Sequence, residues 1–391
     1  MGKGDGGIRT RRALLKQALV SGSILVSGFH RLSWPDLADD EREGVKAGLV
    51  AFSDEDRVPV DQVLGSELDG RLFTDLSTLT PENTVTPTGK FYIRTRASNL
   101  LDASKHWSIA FGGLVEKPAN LPVEQLRRMA RPMGLHLMEC AGNFRGAHFG
   151  MVSVADWRGV PIEEILEIAK PSSAGARVLI SGFDQYSSES RSSVPGASWI
   201  FAPDQLKAAG AFLAIEMNGE PLTPDHGFPV RLVVPGWYGC TCIKWVNQIA
   251  FLSDDAPATS QMQEYAGRTM QTGVPTLAKE YQAARIDYAA MPIRIEKWFV
   301  DDRIELHVIG IQWGGSRPIE GLEIRFNQDE NYVPVGDFRV SHGDAWNFWR
   351  QLWTPQKSGR YLIRLRVKGA NVVARRLEAG YYMRSVEIEE T

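Results

Sequence analysis

Cysteine is scarce in this chain, with three in 391 residues, and that excludes a disulfide-stapled scaffold. An excess of one charge is also missing. Forty-four basic residues against 47 acidic ones leave a net charge of −3, which gives nucleic acid no reason to be a partner. No run of 18 apolar residues occurs beyond the first 34 positions, so no internal membrane span is expected. Internal repeats, low-complexity tracts and a Cys-x-x-Cys-His signature are absent as well. What remains is an ordinary globular composition, 43% hydrophobic and 23% charged. The length exceeds that at which single cores stop growing, so two domains are expected. Eleven tryptophans are many, and most lie in the second half.

Residues 1–34 read as a leader. Thr10-Arg-Arg-Ala-Leu-Leu-Lys16 sets paired arginines ahead of the modestly apolar Ala18–Phe29, the order of an export signal in its twin-arginine form. No small-x-small cleavage site is evident before Asp36, so the leader is expected either to be cut or to stay as an anchor. Asp36–Glu43 reads as an acidic linker, and residues 35–85 as linker and N-terminal extension. From Phe91 strands and helices alternate. Phe91–Thr95, Trp107–Val115, Ala176–Phe183, Phe212–Met217, Pro229–Val234 and Cys242–Phe251 read as strands, and Leu121–Met129, Pro161–Lys170 and Pro203–Ala209 as helices. Few clean β-α-β spacings occur, which argues for an α+β domain over 86–285. Residues 253–292 read as a long connection. Beyond Pro292, runs such as Ile304, Leu306 and Val308 alternate with polar residues between Gly and Asp turns, as in an all-β sandwich over 286–391. Trp346, Trp349 and Trp353 belong to its core or to its interface with the first domain.

The most informative stretch is Leu135 to Gly150. It opens as a strand, with Leu135 and Leu137 alternating against His136 and Met138, then breaks at Cys140-Ala-Gly-Asn143 into turn-forming residues. A cysteine is thus offered at a strand end with Arg145 and His148 beyond it, and nearby cations favour the thiolate, a nucleophile or a soft metal ligand. Taken alone, Cys140 fits a buried small hydrophobe before a turn equally well. Cys240 and Cys242, two apart in a strand-like stretch, would share a face with their Cβ atoms too far apart for an unstrained disulfide, and they read as buried small residues.

Four separated segments share one explanation. They are Phe91-Tyr-Ile-Arg-Thr-Arg96, Glu139-Cys-Ala-Gly-Asn-Phe-Arg145, Asp225-His-Gly-Phe-Pro-Val-Arg231 running on to Cys242-Ile-Lys-Trp245, and Tyr265. In this order they resemble the molybdopterin domain of the sulfite oxidase family, from about Phe91 to the C-terminus. The resemblance implies an α+β molybdopterin-binding domain (sulfite oxidase fold) followed by an immunoglobulin-like sandwich of the dimerisation type. It implies one molybdenum–molybdopterin per chain, with Cys140 as the metal ligand. His226, Arg231 and Lys244 take cofactor-binding positions, helped by Tyr92, Ile93, Arg94, Thr95, Arg96, Cys242 and Ile243, with Asp184 towards the pterin ring. Arg94 and Arg145 would hold a small oxyanion beside Tyr265, and Thr95-Arg96 replaces the family's usual Asn-His. The implied activity is periplasmic oxidation of sulfite to sulfate by oxygen-atom transfer. With no haem segment in this chain, the electrons are expected to pass to a c-type cytochrome. Two other readings stay open: a sulfoxide reductase, and a non-catalytic partner domain of the same fold.

Overall fold

The strand that delivers Cys140 spans Arg131–Glu139 and pairs antiparallel with Val152–Pro161, Leu137 opposite Val154 and Glu139 opposite Val152. The alternation expected here does not hold. Leu135 is exposed, whereas His136 through Cys140 are all buried. The strand runs into the core and is covered on both faces, so its inner half is not amphipathic. Our computed structural model describes residues 30–31, 43–54, 58–102, 106–190, 193–338 and 345–389. The Arg11-Arg12 leader signal and most of the acidic linker lie outside them.

The first domain holds two five-stranded sheets. In one, Arg131–Glu139 and Val152–Pro161 continue through Phe212–Met217, which pairs with both Glu220–Pro221 and Arg231–Val233. The other runs Ala119–Pro122, Ser108–Gly113, Val246–Leu252, Arg177–Gly182 and Ser198–Phe201, with one parallel pair, between Val246–Leu252 and Ser108–Gly113. Helix Ile162–Ala169 turns Ile162 and Ile165 inward as their spacing with Leu166 leads one to expect, but Leu166 is only half-buried and Ala169 completes the face.

Several sequence expectations change. Phe91–Thr95 is a loop, joined to the N-terminal extension by the isolated bridge Leu72–Ile93 and by Arg71, which donates to the Arg94 carbonyl. The strand expected from Cys242 begins only at Val246, leaving Cys242–Lys244 in irregular backbone. Such backbone lets neighbouring side chains converge on a ligand, as a pleated strand does not. The connection over 253–292 contains helix Ser260–Tyr265, and strand Ala289–Val300 begins inside it.

Beyond it lies a sandwich of two antiparallel sheets. One orders Glu43–Val50, Ala289–Val300, Arg303–Trp313 and Asn347–Trp353; the other centres on Gly321–Arg325, Gly359–Lys368 and Arg384–Ile388. Trp353 stacks on Phe326 at 4.3 Å and meets Tyr361 edge-on at 4.9 Å, joining aromatic rings of the two sheets. Glu43–Val50 comes from the stretch read as linker and extension. It docks on Ala289–Val300, with Lys46 donating to Glu296 at 2.7 Å.

Candidate active site

Cys140 sits where the strand ends in a tight turn. Its amide donates to the Met151 carbonyl at 2.9 Å, and the Asn143 side chain accepts from the Met151 amide at 3.1 Å. The turn is thereby tied across its own mouth, and Cys140 is 3% exposed. The sulfur accepts one weak hydrogen bond, from the Gly142 amide at 3.3 Å. Burial pushes the Cys140 thiol up, opposed first by Arg94 and then by the Gly142 amide. As a metal ligand the sulfur would be bound as thiolate, which removes the cost of holding a proton-free thiol in this environment.

Cys140 forms one wall of a narrow cleft of about 120 Å³. The loop after Lys90 contributes Tyr92, Ile93, Arg94 and Thr95; the turn after Thr223 contributes His226, and strand Arg231–Val233 contributes Arg231. Cys242, Ile243 and Lys244 approach from another side, Asp184 from the end beyond Arg177–Gly182, and Tyr265 from its short helix. Cys240 lines the cleft too, and all three cysteines are free and buried.

The cations at the inner end lack anions. Arg231, 4% exposed, donates to the carbonyls of His226 (3.1 Å) and Cys242 (3.2 Å) and to the Met138 sulfur (3.1 Å). Its Nε has no partner, and its guanidinium lies 5.5 Å from the Trp157 ring centre. Lys244 donates to the carbonyls of Thr95 and Asp225. Loss of solvation pulls both groups below their usual pKa, Lys244 strongly. Among the described residues neither has a carboxylate partner. Desolvated cations without counter-charge are costly, and a phosphate-bearing ligand in this cleft would supply that charge. The donor set therefore fits a pterin phosphate, with the soft Cys140 sulfur placed for molybdenum.

His226 is spent on protein. Its Nε2 donates to the Phe91 carbonyl at 3.1 Å, and Nδ1 pairs with the Thr223 hydroxyl at 2.7 Å. Gly227, which follows it at φ 106°, has no room for a side chain: a Cβ there would lie 3.0 Å from the Cβ of Arg231. The ring thus locks the Phe91 loop to this turn, and both segments line the cleft.

A second cavity, of about 840 Å³, opens beside the cysteine turn. It shares Arg94 with the first and includes Ala141 and Gly142. Five arginines line it (Arg71, Arg94, Arg268, Arg375 and Arg376) and no carboxylate does, although Arg375 is paired with Asp287 from outside the lining, at 2.8 Å through both oxygens. Arg71 and Arg94 both donate to the Ser193 hydroxyl, at 3.3 and 2.8 Å. Burial, and then Arg94 itself, pull Arg71 down to about 10.

Three residues singled out from the sequence, Arg96, Arg145 and His148, line neither cavity. Arg145 faces Asp54 at 3.4 Å, and that carboxylate also lies 3.5 Å from Arg384. His148 turns to the Val58 carbonyl at 3.1 Å. The cations that bear on Cys140 are Arg94 and Arg268 instead. Arg96 adds no charge to the anion region either: it donates to Asp225 at 2.9 Å and braces the His226 turn.

Sequence reasoning missed Arg71, Arg268 and Arg376, which stand in segments without a motif. It also gave no role to Glu139, although a carboxylate ending an apolar strand is a signal in itself. Glu139 is fully buried and accepts from Trp313 at 2.8 Å, Tyr382 at 3.1 Å and Asn143 at 3.3 Å. Arg376 donates to the carbonyls of Ala141 and Arg268, both at 2.7 Å, and Tyr381 donates to that of Asn143. The sandwich domain therefore holds the cysteine turn through side chains that bond its backbone.

Comparison with known proteins agrees with this geometry. The family profile described as oxidoreductase molybdopterin binding domain matches residues 97–260. Mitochondrial sulfite oxidase of Homo sapiens is 26% identical over 327 residues, 78% of this chain and 58% of that protein. A nitrate reductase [NADPH] of Aspergillus niger is 32% identical over 218 residues, 51% of this chain and 24% of the other. The nitrate reductase of Beauveria bassiana is similarly matched over only 29% of its length, so the chain spans about a third or less of these nitrate reductases and under two thirds of the sulfite oxidase. Among solved structures, the sulfane dehydrogenase SoxCD from Paracoccus pantotrophus shares the fold, with a TM-score of 0.62 at 18% identity, covering 86% of this chain and 91% of the other. The chain carries a molybdopterin-binding oxidoreductase domain, with sulfite oxidases and nitrate reductases among its relatives.

Proposed function

We propose that this chain oxidises sulfite, or a similar small sulfur oxyanion, to sulfate and passes the electrons to a separate c-type cytochrome. The observation that carries the reading is the cavity beside Cys140, where Arg71, Arg94, Arg268 and Arg376 converge with no carboxylate in the lining. Such a field concentrates anions and orients them by charge-assisted hydrogen bonds. When bound, the molybdenum–pterin group supplies oxygen-atom transfer and a sink for two electrons. Cys140 would hold its metal, and Arg231 and Lys244 its phosphate. Arg94, shared by both cavities, stands where a substrate anion passes from one to the other, and the buried Tyr265 lines the same cleft. Burial raises the Tyr265 pKa, so at neutral pH the hydroxyl is protonated and can donate a hydrogen bond.

A neutral sulfoxide would gain little from this field, which argues against the reductase reading. Nitrate is also an oxyanion, and nitrate reductases are among the relatives, so the decisive comparison is direct. Steady-state turnover is measured with sulfite and oxidised cytochrome c, then with nitrate or a methyl sulfoxide and a reduced dye. Turnover of sulfite is expected. Turnover of nitrate or the sulfoxide without sulfite would reject the proposal. The twin-arginine leader supports export of the folded, cofactor-loaded protein to the periplasm as part of the same reading.

A further inference from the structure

We propose that Arg268 is the second anion-binding arginine of the cavity beside the cysteine turn, acting with Arg94 in the place that Arg145 leaves, with Arg71 backing Arg94. The inference rests on the anionic-substrate reading above and names the residues that would enforce it. Arg268 lies outside both the matched segment and every motif. It stands in the 3-10 turn Gly267–Thr269, just after the helix that ends in Tyr265.

Three observations place it. A Cβ built on Gly142 would lie 3.7 Å from the Cys140 sulfur and 3.8 Å from Arg268 Nη1, so this guanidinium reaches the open face of the cysteine turn. It also lies over the Tyr265 ring, 5.1 Å from its centre. Its backbone is fixed, because the Arg268 carbonyl accepts from Arg376 at 2.7 Å. The side chain itself stays available: it is half exposed, and Glu264 approaches only to 3.9 Å. On the opposite flank Arg71 is anchored by the carbonyls of Leu68 and Gly70, at 2.7 and 2.8 Å, and by that of Arg94. Two guanidiniums brought to one serine hydroxyl repel each other, and an anion between Arg94 and Arg268 relieves that repulsion. Arg145, held by Asp54, contributes none of this.

The test uses the full-length, cofactor-loaded protein and sulfate as a non-reacting probe. Sulfate affinity is measured by calorimetry, beside sulfite KM and kcat and molybdenum content. Loss of one charge-assisted contact should weaken sulfate binding and raise KM roughly 10- to 100-fold in Arg268→Gln, with molybdenum content unchanged. Arg268→Lys should recover part of the affinity, because it keeps the charge and loses the fork. Unchanged sulfate affinity in Arg268→Gln at full molybdenum content would overturn the proposal. So would a large loss in Arg145→Gln with none in Arg268→Gln. If Arg268→Gln weakens sulfate binding while even the wild type fails to turn over sulfite, the arginine assignment stands and the sulfite reading falls.

Discussion

At the scale of single residues, the buried cations separate a cofactor site from a merely polar interior. Arg231 has carbonyls and sulfur as acceptors and an Nε with no partner. Arg231→Met removes the charge at similar volume. It should leave the fold intact and cut molybdenum and pterin content several-fold, because a phosphate loses a desolvated donor, a loss on the order of 2–5 kcal/mol. Metal analysis of the purified variant checks this, and a full complement would remove Arg231 from the cofactor site. His226 makes a different prediction. Burial first, then Arg231 and Lys244, hold its pKa at about 4, below the usual 6.5. Above pH 6.5 the ring is neutral whether folded or unfolded, and nothing changes. Between 6.5 and 4 the unfolded chain takes up the proton and the folded chain does not, so stability falls as the pH is lowered and levels off below 4. The full loss is roughly 3 kcal/mol. Urea midpoints from pH 7.5 to 4.5 should therefore slope less steeply in His226→Gln than in the wild type. Equal slopes would show that another group carries the effect.

At the scale of elements, two strands set the depth of the cofactor cleft through a close approach. Arg177–Gly182 pairs with Val246–Leu252, and a Cβ on Gly182 would stand 1.9 Å from the Lys244 carbonyl. That contact is backbone to backbone, so no side chain can yield. Gly182→Ala must push the Cys242–Lys244 segment away and carry the Lys244 ammonium with it. The expected result is a protein with near-normal circular dichroism, a lower melting temperature, and molybdenum content reduced at least as far as in Arg231→Met. Normal occupancy would mean that this segment does not position Lys244. The loop carrying Arg94 is held from the extension in the same way. Glu67 accepts from the amides of Asn99, Ser187 and Ser188 at 3.0–3.1 Å, tying two cleft-lining loops to one buried carboxylate.

At the scale of the whole molecule, the sandwich domain does more than add bulk. Trp313 and Tyr382 bond Glu139, Arg376 and Tyr381 bond the cysteine turn, and Glu43–Val50 joins the sandwich sheet from the opposite end of the chain. The cysteine turn is thus packed between two domains, and its geometry depends on both. Export belongs to this scale as well, because a twin-arginine route takes a protein already folded. Replacing Arg11 and Arg12 together by lysine should retain the enzyme in the cytoplasm, read by fractionation. Undiminished activity in the periplasmic fraction would reject the leader reading.

Local information in the sequence determined much of this. The one-face spacing of Ile162, Ile165 and Leu166 makes a helix wherever it is placed, and the alternation of Tyr361, Ile363 and Leu365 makes a strand covered on one side. The ordered motifs around Cys140, His226, Arg231 and Lys244 were legible for a related reason: a cofactor with fixed geometry demands particular residue types at particular spacings. A side chain's direction was not legible. Arg145 stands in the motif yet turns to Asp54, and Arg96 turns to Asp225, while Arg71 and Arg268 arrive from segments with no signature. Charge acts through space and not along the chain. Which arginines line the cavity beside Cys140 was therefore decided only when the extension, both domains and the turn after Tyr265 packed around one cysteine.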